Sequence, residues 1–356
     1  MKHNKIHGFF GTTGHATDLD GMTFPALLEL YLRNKHAEKS VRKIFQAFQN
    51  KISKRLSIPS IRLLVKDLDG NSGNFHSSRV KRQANTVGVD IDEMCLPEEA
   101  FLSILHEIKH AEQEYVLHKY LYHKIIPQNN FGKAILLAKI WEEIEDSEDD
   151  KEALESQEFD PYEAYYMDFS ELDAHLFSGE EMAKLTEKYK IYDNLDFHLH
   201  LRSMWCKLLS VMLYQREGTE NPMISRAIML FENHVEQMKS GKHGKAIKEA
   251  VDEITIDGFD ARRAFETITQ RLDRVAEFII LEDAFLKSKG VNINLFENGK
   301  FNYGDNDIDR CEDEPEIISE FGVEEDSIYA SGIERFVQKG NHEYVKIIES
   351  FLVCEN

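Results

Sequence analysis

Residues 101–112, Phe-Leu-Ser-Ile-Leu-His-Glu-Ile-Lys-His-Ala-Glu, constrain this chain more than any other stretch. Apolar Phe101, Leu102, Ile104, Leu105 and Ile108 recur at helical spacing and call for one buried face. The same segment carries His106-Glu107-Ile108-Lys109-His110, the pattern His-Glu-x-x-His. Residues four apart share a helix face, so His106 and His110 can turn two imidazoles toward one metal ion. Glu107, one step round, can reach a water held on that ion. Zinc suits such a site, because imidazole nitrogen is a good ligand. A catalytic zinc takes three protein ligands and keeps one position open for water. The water is acidified and Glu107 takes its proton. The plain alternative is a solvated helix with two unrelated histidines.

The surroundings favour a site. Pro97-Glu98-Glu99 is a suitable helix start, with proline and acids in the first turn. Before it, Thr86 to Asp92 alternates apolar and polar residues as a half-buried strand does. A third ligand must come from elsewhere, and Tyr165 to Phe177 is the best stretch. There Ser170 can cap a helix that starts at Glu171, or Asp168 can start it earlier. Leu172, Leu176 and Phe177 give that helix an apolar face, and Glu171 and His175 share a face at four-residue spacing.

With these residues the chain resembles the gluzincin type of zinc metallopeptidase. It is especially similar to minimal versions from phage and mobile elements, where a Tyr precedes a Glu-x-Asp-Ala-x-x-Phe segment. The resemblance covers roughly residues 60–180, about a third of the chain. It implies one zinc ion per chain, with His106 and His110 as ligands, Glu171 as third ligand and Glu107 as general base. Asp173 is the alternative third ligand. Asp173 or His175 can instead sit behind a ligand histidine and orient it. Tyr165, Tyr166 or His175 can donate to the oxyanion of the tetrahedral intermediate. Tyr115 and Val116 stand where the longer metzincin motif would continue, which argues against that type.

The chain has 356 residues, 42% of them apolar, enough for two domains with real cores. A formal net charge of −21 repels a nucleic-acid backbone and favours a basic peptide or protein as partner or substrate. The four cysteines, Cys95, Cys206, Cys311 and Cys354, form no Cys-x-x-Cys pair, which fits reduced thiols rather than a disulfide framework. The first residues lack the apolar run of a signal peptide, and no stretch approaches the roughly 18 apolar residues of a membrane span. These features read as a soluble cytoplasmic protein, or one acting in a host cytoplasm if phage-encoded.

In chain order, the glycine-rich Gly8 to His15 reads as a turn-rich entry loop. Residues 24–57 read as helices with a basic face at Lys35, Lys39, Arg42, Lys43, Lys51, Lys54 and Arg55. Ile61 to Val65 reads as a strand, and Asp67 to Gly73 as a turn that lacks a full calcium loop. The resemblance also implies an edge strand that pairs with an extended substrate, and Thr86 to Asp92 is the candidate for it. Apolar spacing continues from Tyr115 to Ile126, and residues 131–144 form another helix. Glu142 to Asp160 then holds eleven acidic residues against one lysine, a solvated run or a lid. His198, His200, Trp205 and Cys206 lie in an apolar pattern that reads as core. Helices follow at 223–240, 244–254 and 261–289, the last stopped by Gly290. An Asn-Gly hairpin at 291–303, an acidic linker and two short helices close the chain.

The expected fold is α+β and predominantly helical, with a small sheet beside the motif helix and a largely helical C-terminal region. Four segments are expected: a helical 1–58, a metallopeptidase-like core at 59–180 with an acidic insertion at about 142–160, a helical 181–290, and 291–356. Two functions of different class suit this pattern. One is peptide hydrolysis at zinc, or hydrolysis of another amide at the same metal. The other is a non-catalytic interaction protein on a metallopeptidase-like scaffold, docking partners through its acidic surface.

Overall fold

A computed structural model describes residues 19, 21–34, 37–59, 61–66, 68, 73–76, 85–90, 97–145, 165, 167–189, 198, 205, 223–288 and 290. The chain divides into two compact units, Met1–Ile108 and Lys109–Asn356. Described residues are mostly helical with one small three-stranded sheet, an α+β arrangement.

In the first unit, helices α1 (Phe24–Asn34) and α2 (Glu38–Leu56) form where apolar residues recur every three or four positions. Leu27, Leu28, Tyr31, Val41, Ile44, Phe45, Phe48 and Ile52 are buried, while Lys39, Arg42, Lys43, Lys54 and Arg55 face solvent. Ser57 ends α2 in the left-handed region at φ 56°, its N–H donating to the Lys54 carbonyl at 3.2 Å. Helix α3 (Pro97–His123) is one unbroken element of 27 residues, so the apolar spacing after the motif continues the same helix. Its Phe101 meets Phe45 edge-on at 5.2 Å, Phe48 at 4.8 Å and Tyr31 at 6.0 Å. Such aromatic pairs add about 0.5–1.5 kcal/mol each beyond area burial.

The sheet consists of β1 (Arg62–Lys66), β2 (Gly73–His76) and β3 (Thr86–Asp90) in the order β1-β3-β2. β3 runs parallel to β1 and antiparallel to β2. This corrects the sequence expectation that the 86–92 strand is the edge. β3 is central, its backbone engaged on both sides and Val87 and Val89 fully buried. Among the described residues β2 is an edge instead. Its Gly-Asn-Phe-His sequence has low strand propensity and no alternation, so pairing with β3, not local preference, makes it a strand.

The second unit continues with α4 (Asn130–Glu145), α5 (Phe169–Tyr189), α6 (Met223–Lys239), α7 (Lys245–Thr255) and α8 (Ala261–Ser288). Phe169 sits among Phe131, Phe231 and Phe265 with ring centres 5.0–5.5 Å apart. Gly290 follows α8 with φ 82°, as its predicted role as a stop requires. His198 and Trp205 are buried against Phe285 and Phe278, in keeping with a core role. Among the described residues no helix is long and apolar enough to cross a membrane. The Gly8–His15 loop, most of the Asp67–Gly73 turn, the acidic run beyond Glu145, Tyr166, His200, all four cysteines and everything from 291 onward lie outside the described residues.

Candidate metal centre

Helix α3 buries Phe101, Leu102, Ile104, Leu105, Ile108 and Ala111, and this fixes which way its other face turns. His106 and His110 lie one turn apart on that helix and are partly accessible. The opposing ligand comes from the start of α5. Asp168 is the cap: its Oδ1 accepts from the backbone N–H of Ser170 at 2.7 Å and of Glu171 at 3.0 Å. The cap holds Glu171 in the first helical turn, while Leu172, Ala174, Leu176 and Phe177 pack into the core. The Ser170 hydroxyl lies 2.6 Å from both Asp168 Oδ1 and Glu142 Oε1. Burial pushes the Glu142 carboxyl up despite nearby Lys139, and the adjacent Asp168 pushes it further.

One donor atom each from His106, His110 and Glu171 lies within 4.8 Å of the other two. His110 Nε2 stands 3.4 Å from Glu171 Oε1. Tetrahedral zinc with bonds of roughly 2.0–2.1 Å needs ligand atoms about 3.3–3.4 Å apart, so this edge already has the right length. Two imidazoles and one carboxylate are also a donor set that holds a hydrolytic zinc with one open position. Among the described residues no other group of three or more histidines, cysteines and acids converges in this way. A metal ion therefore fits these three side chains.

Behind His110 lies a buried polar layer. Gln113 Oε1 is 2.9 Å from His110 Nδ1. Gln113 Nε2 donates to the Ser170 carbonyl at 2.9 Å and to Asp173 Oδ2 at 3.0 Å. Asp173, fully buried, also faces Lys109 Nζ at 3.2 Å and accepts from Arg271 Nη1 at 2.6 Å. Arg271 Nε reaches Glu180 Oε1 at 3.2 Å. Burial alone would favour neutral Asp173, but Lys109 and Arg271 hold its carboxyl below the usual range. Burial likewise opposes the charge on Lys109, and Asp173 and Glu112 outweigh it and raise its pKa.

The sequence-predicted residues separate accordingly. His106, His110 and Glu171 are brought together. Asp173, the alternative ligand, is instead engaged on both oxygens by Lys109, Gln113 and Arg271. Glu107 is next to His106 on α3, 7% exposed, with its carboxylate over the Cα of Gly73 on β2. Tyr165 and His175 meet edge-on with ring centres 5.9 Å apart. Gln113, Lys109 and Arg271 were not singled out from sequence. Gln113 had a signal, standing one helical turn after His110. Arg271 is 98 residues beyond Asp173 and had none. Compared with protein families, curated proteins and solved structures, the chain matches none.

Proposed function

We propose that the protein is a zinc-dependent metallopeptidase of gluzincin-like type, with His106, His110 and Glu171 as ligands and Glu107 as general base. The observation that carries this reading is the convergence of two imidazoles from α3 and a carboxylate from α5, with a buried glutamate directly after the first histidine. Bound zinc would supply Lewis acidity to a water and to the scissile carbonyl. Glu107 takes the water's proton at its carboxylate and passes it to the departing amine. Tyr165 and His175 are the candidate donors to the developing oxyanion. Edge strand β2 lies beside Glu107 and offers backbone groups to an extended peptide. A basic peptide is the electrostatically favoured substrate for a chain of net charge −21.

Elemental analysis of the purified, zinc-supplied protein tests the reading, together with cleavage of an unstructured basic polypeptide. One zinc per chain is expected, lost in His106→Ala and in Glu171→Ala. Glu107→Gln should keep the zinc and lose about 10²–10⁴-fold in turnover, the usual contribution of a general base. Zinc at about 100 times its dissociation constant should stabilise the fold by about 2.7 kcal/mol, and a chelator should reverse this. A zinc-supplied protein that holds no metal would sink the proposal.

A further inference from the structure

We infer that Gln113 is a positioning residue that sets the tautomer of His110 and thereby the affinity of the metal centre. The inference rests on the metal-ligand reading of His110, and its argument is one of hydrogen-bond direction. Gln113 is 1% exposed, and its amide has three close polar neighbours. Two of them lie at one end: the Ser170 backbone carbonyl at 2.9 Å and Asp173 Oδ2 at 3.0 Å. A backbone carbonyl can only accept, so the amide nitrogen must face it. Turned the other way, the amide would set its own oxygen against two oxygens in a buried site, leaving several groups unsatisfied. Gln113 Oε1 is therefore committed to His110, 2.9 Å from Nδ1.

An amide oxygen also only accepts, so His110 Nδ1 carries the hydrogen. A neutral imidazole has one N–H, which leaves the lone pair on Nε2. Nε2 is the nitrogen that stands 3.4 Å from Glu171 Oε1. Gln113 thus presents the ligand nitrogen toward the third ligand in the form a cation requires. Its own orientation is set from two further elements. Ser170 lies at the start of α5, and Asp173 is fixed by Arg271 on α8. Histidine ligands usually need an acceptor of this kind on the other ring nitrogen, and its loss costs about 10–100-fold in metal affinity.

The test has two readouts. Imidazole nitrogen NMR of the metal-free wild-type protein, with His110 assigned by its loss in His110→Asn, reports the tautomer directly. The expected result is Nδ1–H. Chelator competition with zinc then compares wild type with Gln113→Met, which keeps side-chain length and removes all three hydrogen bonds. Zinc affinity should fall about 10–100-fold and His110 should become a tautomer mixture. Finding the proton on Nε2 in the wild type overturns the inference, and needs no variant to fold. Unchanged zinc affinity and tautomer in a folded Gln113→Met overturn it as well. If wild type binds no zinc, the metal reading falls first. The NMR result still decides whether Gln113 sets the tautomer.

Discussion

Gly73 lacks a side chain where Glu107 needs the room. A methyl group on its Cα would sit 2.9 Å from Glu107 Oε1 and 3.0 Å from its Cγ. The carboxylate, being the end of a flexible side chain, would move rather than the backbone. Gly73→Ala should therefore reposition the proposed base with little effect on the thermal midpoint or zinc content. Turnover should fall by about 10²-fold, the usual cost of misplacing a catalytic group by about 1 Å. Steady-state kinetics beside metal analysis checks this. Asp173 is a residue of the opposite kind, with no contact to a substrate in its proposed role. Asp173→Asn would leave half-buried Lys109 and buried Arg271 without their shared counter-charge. Breaking a buried pair from one side costs about 3–5 kcal/mol, which a denaturant titration would read.

Helix α3 has two jobs on two faces. Phe101, which ties it to the rings of Tyr31, Phe45 and Phe48, is on the buried one. Phe101→Ala should cost about 3–5 kcal/mol in the same titration, because a large cavity opens among three rings. At the start of α5, Asp168→Ala should cost about 1 kcal/mol for a lost cap. It should also weaken zinc binding, since the cap holds Glu171 in the first turn. Most helices are legible from their apolar period: the predicted spans 131–144, 223–240, 244–254 and 261–289 match α4, α6, α7 and α8 closely. β2 is not, because Gly73-Asn74-Phe75-His76 carries no pattern of its own. The edge position was misassigned for the same reason. Alternation in 86–90 marks a strand but does not say how many neighbours it has.

Across the molecule, pH acts through buried groups remote in sequence from the motif. His234 on α6 stacks on Trp141 of α4 with ring centres 4.2 Å apart and planes within 9°. Burial lowers its pKa to about 4 from 6.5. Between those values the unfolded chain binds the extra proton and the folded one does not. The contribution is fully present above pH 6.5 and is lost as pH falls toward 4. At about 1.36 kcal/mol per unit this amounts to about 3 kcal/mol, and His234→Phe should flatten the slope in that window. Asp173 acts lower: its contribution is present above the ordinary carboxylate range and lost as pH falls through its depressed value. Of these two groups only His234 responds between pH 6.5 and pH 4, so unfolding titrations over that range separate them.

Helix periodicity, the His-Glu-x-x-His spacing and the α+β composition of the described residues were determined by local sequence. These follow from the 3.6-residue turn, from apolar burial and from turn chemistry, all of which act over a few neighbouring residues. Even the offer of Glu171 is local, because an acid in the first turn behind an Asp cap is a short-range pattern. Tertiary structure decided the rest. It set Glu171 rather than Asp173 beside the histidines. It placed β3 between β1 and β2, and it brought Arg271 to Asp173 across 98 residues. Such pairings depend on which buried charges and strand edges find each other in space. Nothing in the spacing of the residues along the chain encodes that.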